Sequence, residues 1–93
     1  MEDKRFKELC DDSLKVYIAK NKDYGNSFTE SFREFGLISA VVRMNDKMMR
    51  LKSLCKKDKT EVKDESIIDT LKDLSNYAIM TVIELEKEKA DSN

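Results

Sequence analysis

The sequence of 93 residues predicts a single all-α domain, residues 1–93, a small helical bundle of three long helices and one short helix assembled as a homo-oligomer. There is no proline and there are only two glycines, so residues that interrupt helices are rare. Apolar residues recur at steps of three and four, which is the repeat of an amphipathic helix. A domain this small is marginally stable alone, and oligomerisation is a common way to stabilise it.

The same repeats divide the chain into four elements. The predicted helices cover about residues 3–20, 28–35, 37–55 and 65–88. Ser27 is the expected N-cap of the short helix, because Glu30 follows three positions later as in a capping box. Gly36 is expected to end this helix in a left-handed cap or to kink the chain. Residues 56–63 form a polar connector, and Asp64 is the expected N-cap of the last helix.

Each helix has an apolar face that we expect to pack on a neighbour. On the first helix the face comprises Phe6, Leu9, Cys10, Leu14, Tyr17 and Ile18. The short helix presents Phe28, Phe32 and Phe35. The second long helix presents Leu37, Val41, Met44, Met48, Leu51 and Cys55, and the third presents Ile67, Leu71, Leu74, Ala78, Val82 and Leu85. After Tyr77 apolar residues occur on nearly every side, so we expect the C-terminal helix to form a subunit interface.

Charge and composition narrow the classes of function and location. Lys and Arg number 18 against 19 Asp and Glu, so the net charge of −1 gives no general attraction to a membrane or to long nucleic acid. No apolar run approaches the length of a membrane span, and the charged N-terminus is unlike a signal peptide. The two cysteines form no CxxC pair and are expected to be reduced thiols, as in a cytoplasmic protein. Histidine is absent, which excludes imidazole acid–base catalysis.

A column of acidic residues is the first candidate site. Glu65, Asp69 and Asp73 are spaced four apart on the last helix, with Asn76 on the same face. Like charges at this spacing repel, so the column is expected to lie under a cation or under a set of basic side chains. If Asp46 of the neighbouring helix joins it, four carboxylates meet, and these are ligands that suit Mg²⁺. The alternative is a solvated helix face.

A basic stripe on the second long helix is the second candidate site. Arg43, Lys47 and Arg50 share one side of this helix with Asp46, and basic groups so placed could bind phosphates. Two structural alternatives remain open. The charges could pair within the helix, for example Asp46 with Arg50 at a spacing of four, or the stripe could pair with the acidic column across two helices.

The segment Lys20–Ser27 is the third candidate site. Tyr24 could stack on a base, and Lys20 or Lys22 could contact a phosphate. The alternative is an ordinary turn between helices, since Gly25 permits a tight turn.

Three segments together resemble a known family. They are Lys22-Asp23-Tyr24-Gly25-Asn26-Ser27-Phe28, then Arg43-Met44-Asn45-Asp46-Lys47-Met48-Met49-Arg50-Leu51-Lys52, then residues 64–78, with sequence DESIIDTLKDLSNYA. In this order they resemble the nucleotide modification associated domain of phages, prophages and mobile elements. The resemblance covers about residues 23–80. It implies a role in nucleotide metabolism and, if the gene is a phage gene, a location in the host cytoplasm.

The layout is also similar to the all-α nucleoside triphosphate pyrophosphatases of the MazG type. Those are helical oligomers that hold Mg²⁺ with acidic residues from two helices. The similarity implies that Glu65, Asp69 and Asp73 match the second acidic helix. The helix of this chain that would match the first acidic helix lacks the usual Glu-Glu-x-x-Glu pattern and has only Asp46.

Together these observations predict a phosphorylated nucleotide bound between the second and third long helices. The expected ligand-binding residues are Lys22, Tyr24, Arg43, Lys47, Arg50, Asn76 and Tyr77, and the expected Mg²⁺ ligands are Asp46, Glu65, Asp69 and Asp73. The protein would either cleave a nucleoside triphosphate with Mg²⁺ or, as a non-catalytic sponge, sequester a host nucleotide second messenger used in anti-phage defence. A third alternative is a structural adaptor without a small ligand.

Overall fold

The computed structural model describes residues 2–24, 26–56 and 61–92, and these form helices without any strand. The described part contains α1 (Asp3–Tyr24), α2 (Ser27–Phe35), α3 (Leu37–Lys56) and α4 (Glu61–Asp91). The prediction of an all-α fold with three long helices and one short helix is confirmed. No helix in these three ranges combines the length and apolar character needed to cross a membrane.

Two helices are longer than the sequence predicts. The first continues to Tyr24, so residues 21–24 are helical rather than part of a loop. The last helix begins at Glu61, which places Asp64 inside it, and the predicted N-cap at Asp64 is therefore wrong. In both places polar residues that favour loops also tolerate a helix when no proline or glycine interrupts them. Residues 57–60 of the predicted connector lie outside the described residues.

The short helix α2 is capped differently from the prediction. Its N-cap is Asn26, which forms no side-chain capping bond, so the expected cap at Ser27 is wrong. The N–H of Glu30 donates to the carbonyl oxygen of Asn26 at 2.9 Å. At the other end, the N–H of Gly36 donates to the carbonyl oxygen of Phe32 at 2.8 Å. Gly36 has φ +79° and ψ −164°, an extended conformation with positive φ that separates α2 from α3.

The core lies where α2 packs into the angle between α3 and α4. Phe28, Phe32 and Ala40 are buried there. Met44, Tyr77 and Met80 are partly buried and pack against them. Phe35 is 64% exposed, so the prediction that all three phenylalanines of α2 belong to the core is wrong for this one. Phe35 is the last residue of α2, beyond the turn that faces the core.

The inward face of α4 is partly polar, which apolar periodicity does not reveal. Thr70, Thr81 and Glu84 are buried, whereas Leu71, Val82 and Leu85 of the predicted apolar face are exposed. The Thr70 hydroxyl donates to the carbonyl oxygen of Ser66 at 2.7 Å, and the Thr81 hydroxyl donates to that of Tyr77 at 2.6 Å. Glu84 accepts a hydrogen bond from Thr29 at 2.7 Å. Because these groups are hydrogen-bonded, their burial costs little.

The predicted apolar face of α3 is also largely turned away from α4. Leu37, Val41 and Met48 are between 41% and 46% exposed. The side of α3 that approaches α4 instead carries Ala40, Arg43, Met44 and Lys47, which are buried or half-buried. The exposed residues would need another surface to cover them.

The first helix is held to α4 mainly by polar contacts. The Asn76 side chain donates to the carbonyl oxygen of Ser13 at 3.2 Å, and Lys20 pairs with Asp73 at 2.7 Å. Most of the predicted apolar face of α1 is exposed, including Phe6 at 72%. Cys10 and Cys55 are both exposed free thiols.

Candidate functional site

A small cavity of about 190 Å³ opens beside Asp73, where α1, α2, α3 and α4 meet. Its lining is both cationic and aromatic. The lining residues are Tyr17, Lys20, Asn21, Ser27, Phe28, Arg43, Asp73, Asn76, Tyr77 and Met80. Its volume is below the roughly 300–1,000 Å³ that encloses most small-molecule ligands, so it would hold only part of a nucleotide.

Asp73 lies at the centre of the charged groups. Its Oδ1 atom is 2.7 Å from Nζ of Lys20, and its Oδ2 atom is 3.2 Å from Nζ of Lys47. Burial by itself would raise the pKa of the Asp73 carboxyl, but the hydrogen bonds and charges of the two lysines outweigh it and lower the pKa below the usual value for an aspartate. Asp73 is therefore ionised at neutral pH, and it fixes the two ammonium groups.

An aromatic wall stands next to these charges. The rings of Phe28 and Tyr77 are stacked, with centroids 5.8 Å apart and planes 20° apart. The Arg43 guanidinium lies over the Phe28 ring at 5.4 Å, and Nζ of Lys47 lies 6.0 Å from the Tyr77 centroid. Stacked rings keep cations in place without neutralising them. A ligand with a flat ring and a negative group would match this wall.

The local charge balance favours an anion. Lys20, Arg43 and Lys47 are all cationic, and the carboxylate of Asp73 pairs with two of them, Lys20 and Lys47. Arg43 also donates one hydrogen bond to Oγ of Ser31 at 3.3 Å, which leaves further N–H groups of its guanidinium for a ligand. The arrangement can therefore bind a phosphate by charge-assisted hydrogen bonds.

Several residues predicted from sequence come together at this cavity. Arg43, Asn76 and Tyr77 line it, and Lys47 contacts Asp73 and Tyr77 at its edge. The Asn76 amide nitrogen donates one hydrogen bond to α1, so its carbonyl oxygen and its second N–H are the groups that could meet a ligand. The alternative in which the basic stripe pairs with the acidic column across two helices is seen between Lys47 and Asp73.

Other predicted ligand residues are placed elsewhere. Nε of Arg50 donates to the Thr70 hydroxyl at 3.3 Å, so this arginine joins α3 to α4 outside the cavity. Lys22 is exposed and is not part of the cavity lining. The side chain of Tyr24 lies outside the part of the chain that the structure describes.

Three residues of α1 form a wall of the cavity that the predicted site did not include. Tyr17, Lys20 and Asn21 lie at i, i+3 and i+4 and share one helix face. Lys20 was one of two alternatives for a phosphate contact, and Lys22 points from a different side. The spacing of these three residues is the sequence signal for the wall, but the predicted helix ends at residue 20 and leaves Asn21 in a loop.

The four predicted magnesium ligands are not brought together. Among the described residues, no group of three or more Asp, Glu, Cys or His side chains is placed to hold a metal ion. Asp46, Glu65 and Asp69 are exposed, and Asp73 is engaged by two lysines. A step of four residues rotates the side chain by about 40°, so the acidic column winds around α4 rather than facing one point. Magnesium binding stays a prediction, and these donors do not fit it well.

A second, polar cavity adjoins the first. It measures about 230 Å³ and shares Tyr17, Asn21, Phe28 and Met80 with the cavity beside Asp73. Its other lining residues are Asn26, Thr29, Glu30, Arg33, Ile83, Glu84 and Lys87. Because the two cavities share these four lining residues, they are neighbours, and a ligand larger than either one could extend from one into the other.

Comparison with known proteins identifies the family. No curated protein and no solved structure matches the chain at a significant level. A family model described as nucleotide modification associated domain 1 matches residues 20–85. This range contains every residue that lines the cavity beside Asp73 except Tyr17. The resemblance noted from the sequence is confirmed, and the chain belongs to the nucleotide modification associated domain 1 family.

Proposed function

We propose that the cavity beside Asp73 binds a phosphorylated nucleotide. The observation that carries the proposal is the meeting of Lys20 and Arg43 with the stacked rings of Phe28 and Tyr77 in one lining. Cations and an aromatic wall are the two features that a nucleotide requires of its site, one for phosphate and one for base or sugar. Membership in a nucleotide-associated family supports the same ligand class.

Each side chain has a distinct role in this proposal. Arg43 binds the phosphate through the free N–H groups of its guanidinium, whose plane is already held over Phe28. Lys20 adds a second positive charge, and Asp73 positions it together with Lys47. Tyr77 and Asn76 contact the base or sugar. The remainder of the nucleotide extends into the adjoining polar cavity, because the first cavity alone is too small.

Binding without hydrolysis is favoured over cleavage. Mg²⁺-dependent pyrophosphohydrolysis needs carboxylates that are free to bind the metal. Both carboxylate oxygens of Asp73 are paired with lysines. The side chains of Asp46, Glu65 and Asp69 are exposed. The second candidate function is therefore a sponge that sequesters a nucleotide second messenger. The protein is also proposed to act as a homo-oligomer.

One experiment separates the candidates. The full chain is mixed with Mg²⁺ and a panel of nucleoside mono-, di- and triphosphates and cyclic dinucleotides, and the mixture is chromatographed before and after heat denaturation. Nucleotide that is retained by the folded protein and recovered intact on heating supports binding. Pyrophosphate release that disappears in Asp69→Asn supports hydrolysis. A panel in which no member is retained or changed contradicts nucleotide binding.

A further inference from the structure

The chain exposes more surface than a compact monomer of its mass. A monomer of 10.8 kDa exposes about 5,500 Å². This chain exposes 7508 Å². The difference of about 2,000 Å² lies in the range of roughly 1,000–2,500 Å² that each subunit of an obligate homodimer buries. The excess is therefore large enough for one stable interface.

Much of the exposed apolar surface lies in one groove between α1 and α4. The groove has a volume of about 490 Å³ and an almost wholly apolar lining. Phe6 and Leu14 of α1 line one side of the groove, and Leu71 and Ile79 of α4 line the other. All four are between 49% and 72% exposed. Large apolar side chains that lie side by side and exposed are typical of an interaction site.

The properties of the groove fit a second copy of the same chain. Two helices with one apolar face form a layer, and two such layers pack face to face as a four-helix bundle with twofold symmetry. The net charge of −1 means that two copies repel little. Small side chains at Ser13 and Ser75 lie in the lining, which permits close approach of a partner helix.

We propose that a second copy of this chain packs its own α1–α4 layer into this groove, and that the contact holds the α1 wall of the nucleotide cavity in place. The statement about the α1 wall rests on the proposed function. Tyr17, Asn76 and Met80 line both the groove and the cavity beside Asp73. A partner in the groove thus contacts residues that also form the ligand site.

The coupling follows from how weakly α1 is held in a single chain. Its bonds to α4 include those of Ser13 with Asn76 and of Lys20 with Asp73, and its apolar face is largely uncovered. Most of the stability of a helix in a protein comes from tertiary packing of its apolar face, so α1 needs such packing. Packing by a second copy restricts Tyr17 and Lys20 before the ligand arrives. Self-association and nucleotide binding must then strengthen each other.

The test uses three charge substitutions at positions of similar exposure. Ile79→Glu places a charge on the α4 side of the groove, and Leu14→Glu places one on the α1 side; the two side chains are 54% and 55% exposed, respectively. Val42→Glu, at 52% exposure on α3, is the matched control outside the groove. Sedimentation equilibrium of each full chain without ligand reports self-association. Hydrogen exchange of the amides of residues 17–21 reports the order of the cavity wall, and circular dichroism confirms that each variant is helical.

Wild type and Val42→Glu are expected to be dimers or larger, with slow exchange at residues 17–21. Each groove variant is expected to associate at least about 30-fold more weakly, because the symmetric interface receives each charge twice. Its exchange at residues 17–21 should be faster at the same protein concentration. A monomeric wild type, groove variants with wild-type mass, or dissociation by Val42→Glu alone would each overturn the proposal. None of these readouts needs a nucleotide, so failure here is distinct from failure of the proposed function.

Discussion

Lys20 on α1 and Asp73 on α4 form an ion pair at 2.7 Å although they are 53 positions apart in the chain. The pair closes the candidate site from the α1 side. Lys47 of α3 reaches the other carboxylate oxygen at 3.2 Å, so one aspartate joins three helices. Asp73, which the acidic column predicts as a metal ligand, thus pairs with two cationic side chains in the structure.

The first prediction concerns the dependence of stability on pH. The pKa of Asp73 is lowered in the folded protein, so its ionised form stabilises the fold at any pH above its unfolded pKa. That contribution is lost as the pH falls below about 4 and through the folded pKa. The free energy of unfolding of Asp73→Asn is expected to be about 1 kcal/mol below wild type at pH 7. The difference should shrink towards zero as the pH falls below 4, as measured by urea unfolding.

The control for this prediction is Asp46→Asn. Asp46 is exposed and forms no ion pair with the residues that the structure describes. Its variant should follow the wild-type curve at every pH. If the difference between wild type and Asp73→Asn stays constant from pH 7 to pH 3, the ion pairs of Asp73 do not stabilise the fold.

The second prediction concerns the buried carboxylate of Glu84. Its side chain is 7% exposed, and it accepts a hydrogen bond from Thr29 at 2.7 Å and pairs with Lys87 at 3.3 Å. Thr29→Val removes the donor and leaves a buried charge less well satisfied. We expect a loss of about 1–3 kcal/mol in the free energy of unfolding. Thr29→Ser keeps the hydroxyl and should lose much less, whereas equal losses for both variants would assign the effect to packing of the methyl group.

The third prediction concerns the break between α2 and α3. A Cβ atom at Gly36 would meet nothing within 4 Å, so any cost of a side chain there comes from the backbone alone. With φ +79° and ψ −164°, the conformation is one that essentially only glycine adopts. Gly36→Ala should lower the free energy of unfolding by about 1–3 kcal/mol. Gly36→Asn should cost as much, and a rescue by asparagine in thermal unfolding would point to a left-handed helix cap instead.

The number, order and type of helices could be predicted from the sequence, because apolar spacing and the lack of proline constrain them strongly. The orientation of α4 could not. Thr70, Thr81 and Glu84 are polar, and they are buried only because Ser66, Tyr77 and Thr29 supply hydrogen-bond partners. Apolar periodicity takes no account of polar residues, so it predicts as core a face of α4 that the chain leaves largely exposed.

Only part of the candidate site could be predicted from the sequence. Arg43, Asn76 and Tyr77 belong to the segments that carry the family resemblance, and they line the cavity. The α1 wall was missed because it depends on the helix continuing beyond residue 20, and helix ends are the least certain feature of a sequence-based prediction. The metal site was expected from spacing alone, and spacing does not show that lysines from two other helices engage Asp73.

The central claim is that the cavity beside Asp73 binds a nucleotide phosphate, and calorimetric titration of the full chain tests it most directly. The probes are the nucleotides retained from the panel described above. Arg43→Met removes the guanidinium group that lies over the Phe28 ring. The control, Lys52→Met, removes an exposed charge from the same helix, outside the cavity lining. We expect Arg43→Met to weaken binding at least about 10-fold and Lys52→Met to leave it unchanged. Equal affinity in wild type and Arg43→Met, or equal losses in both variants, would contradict the account.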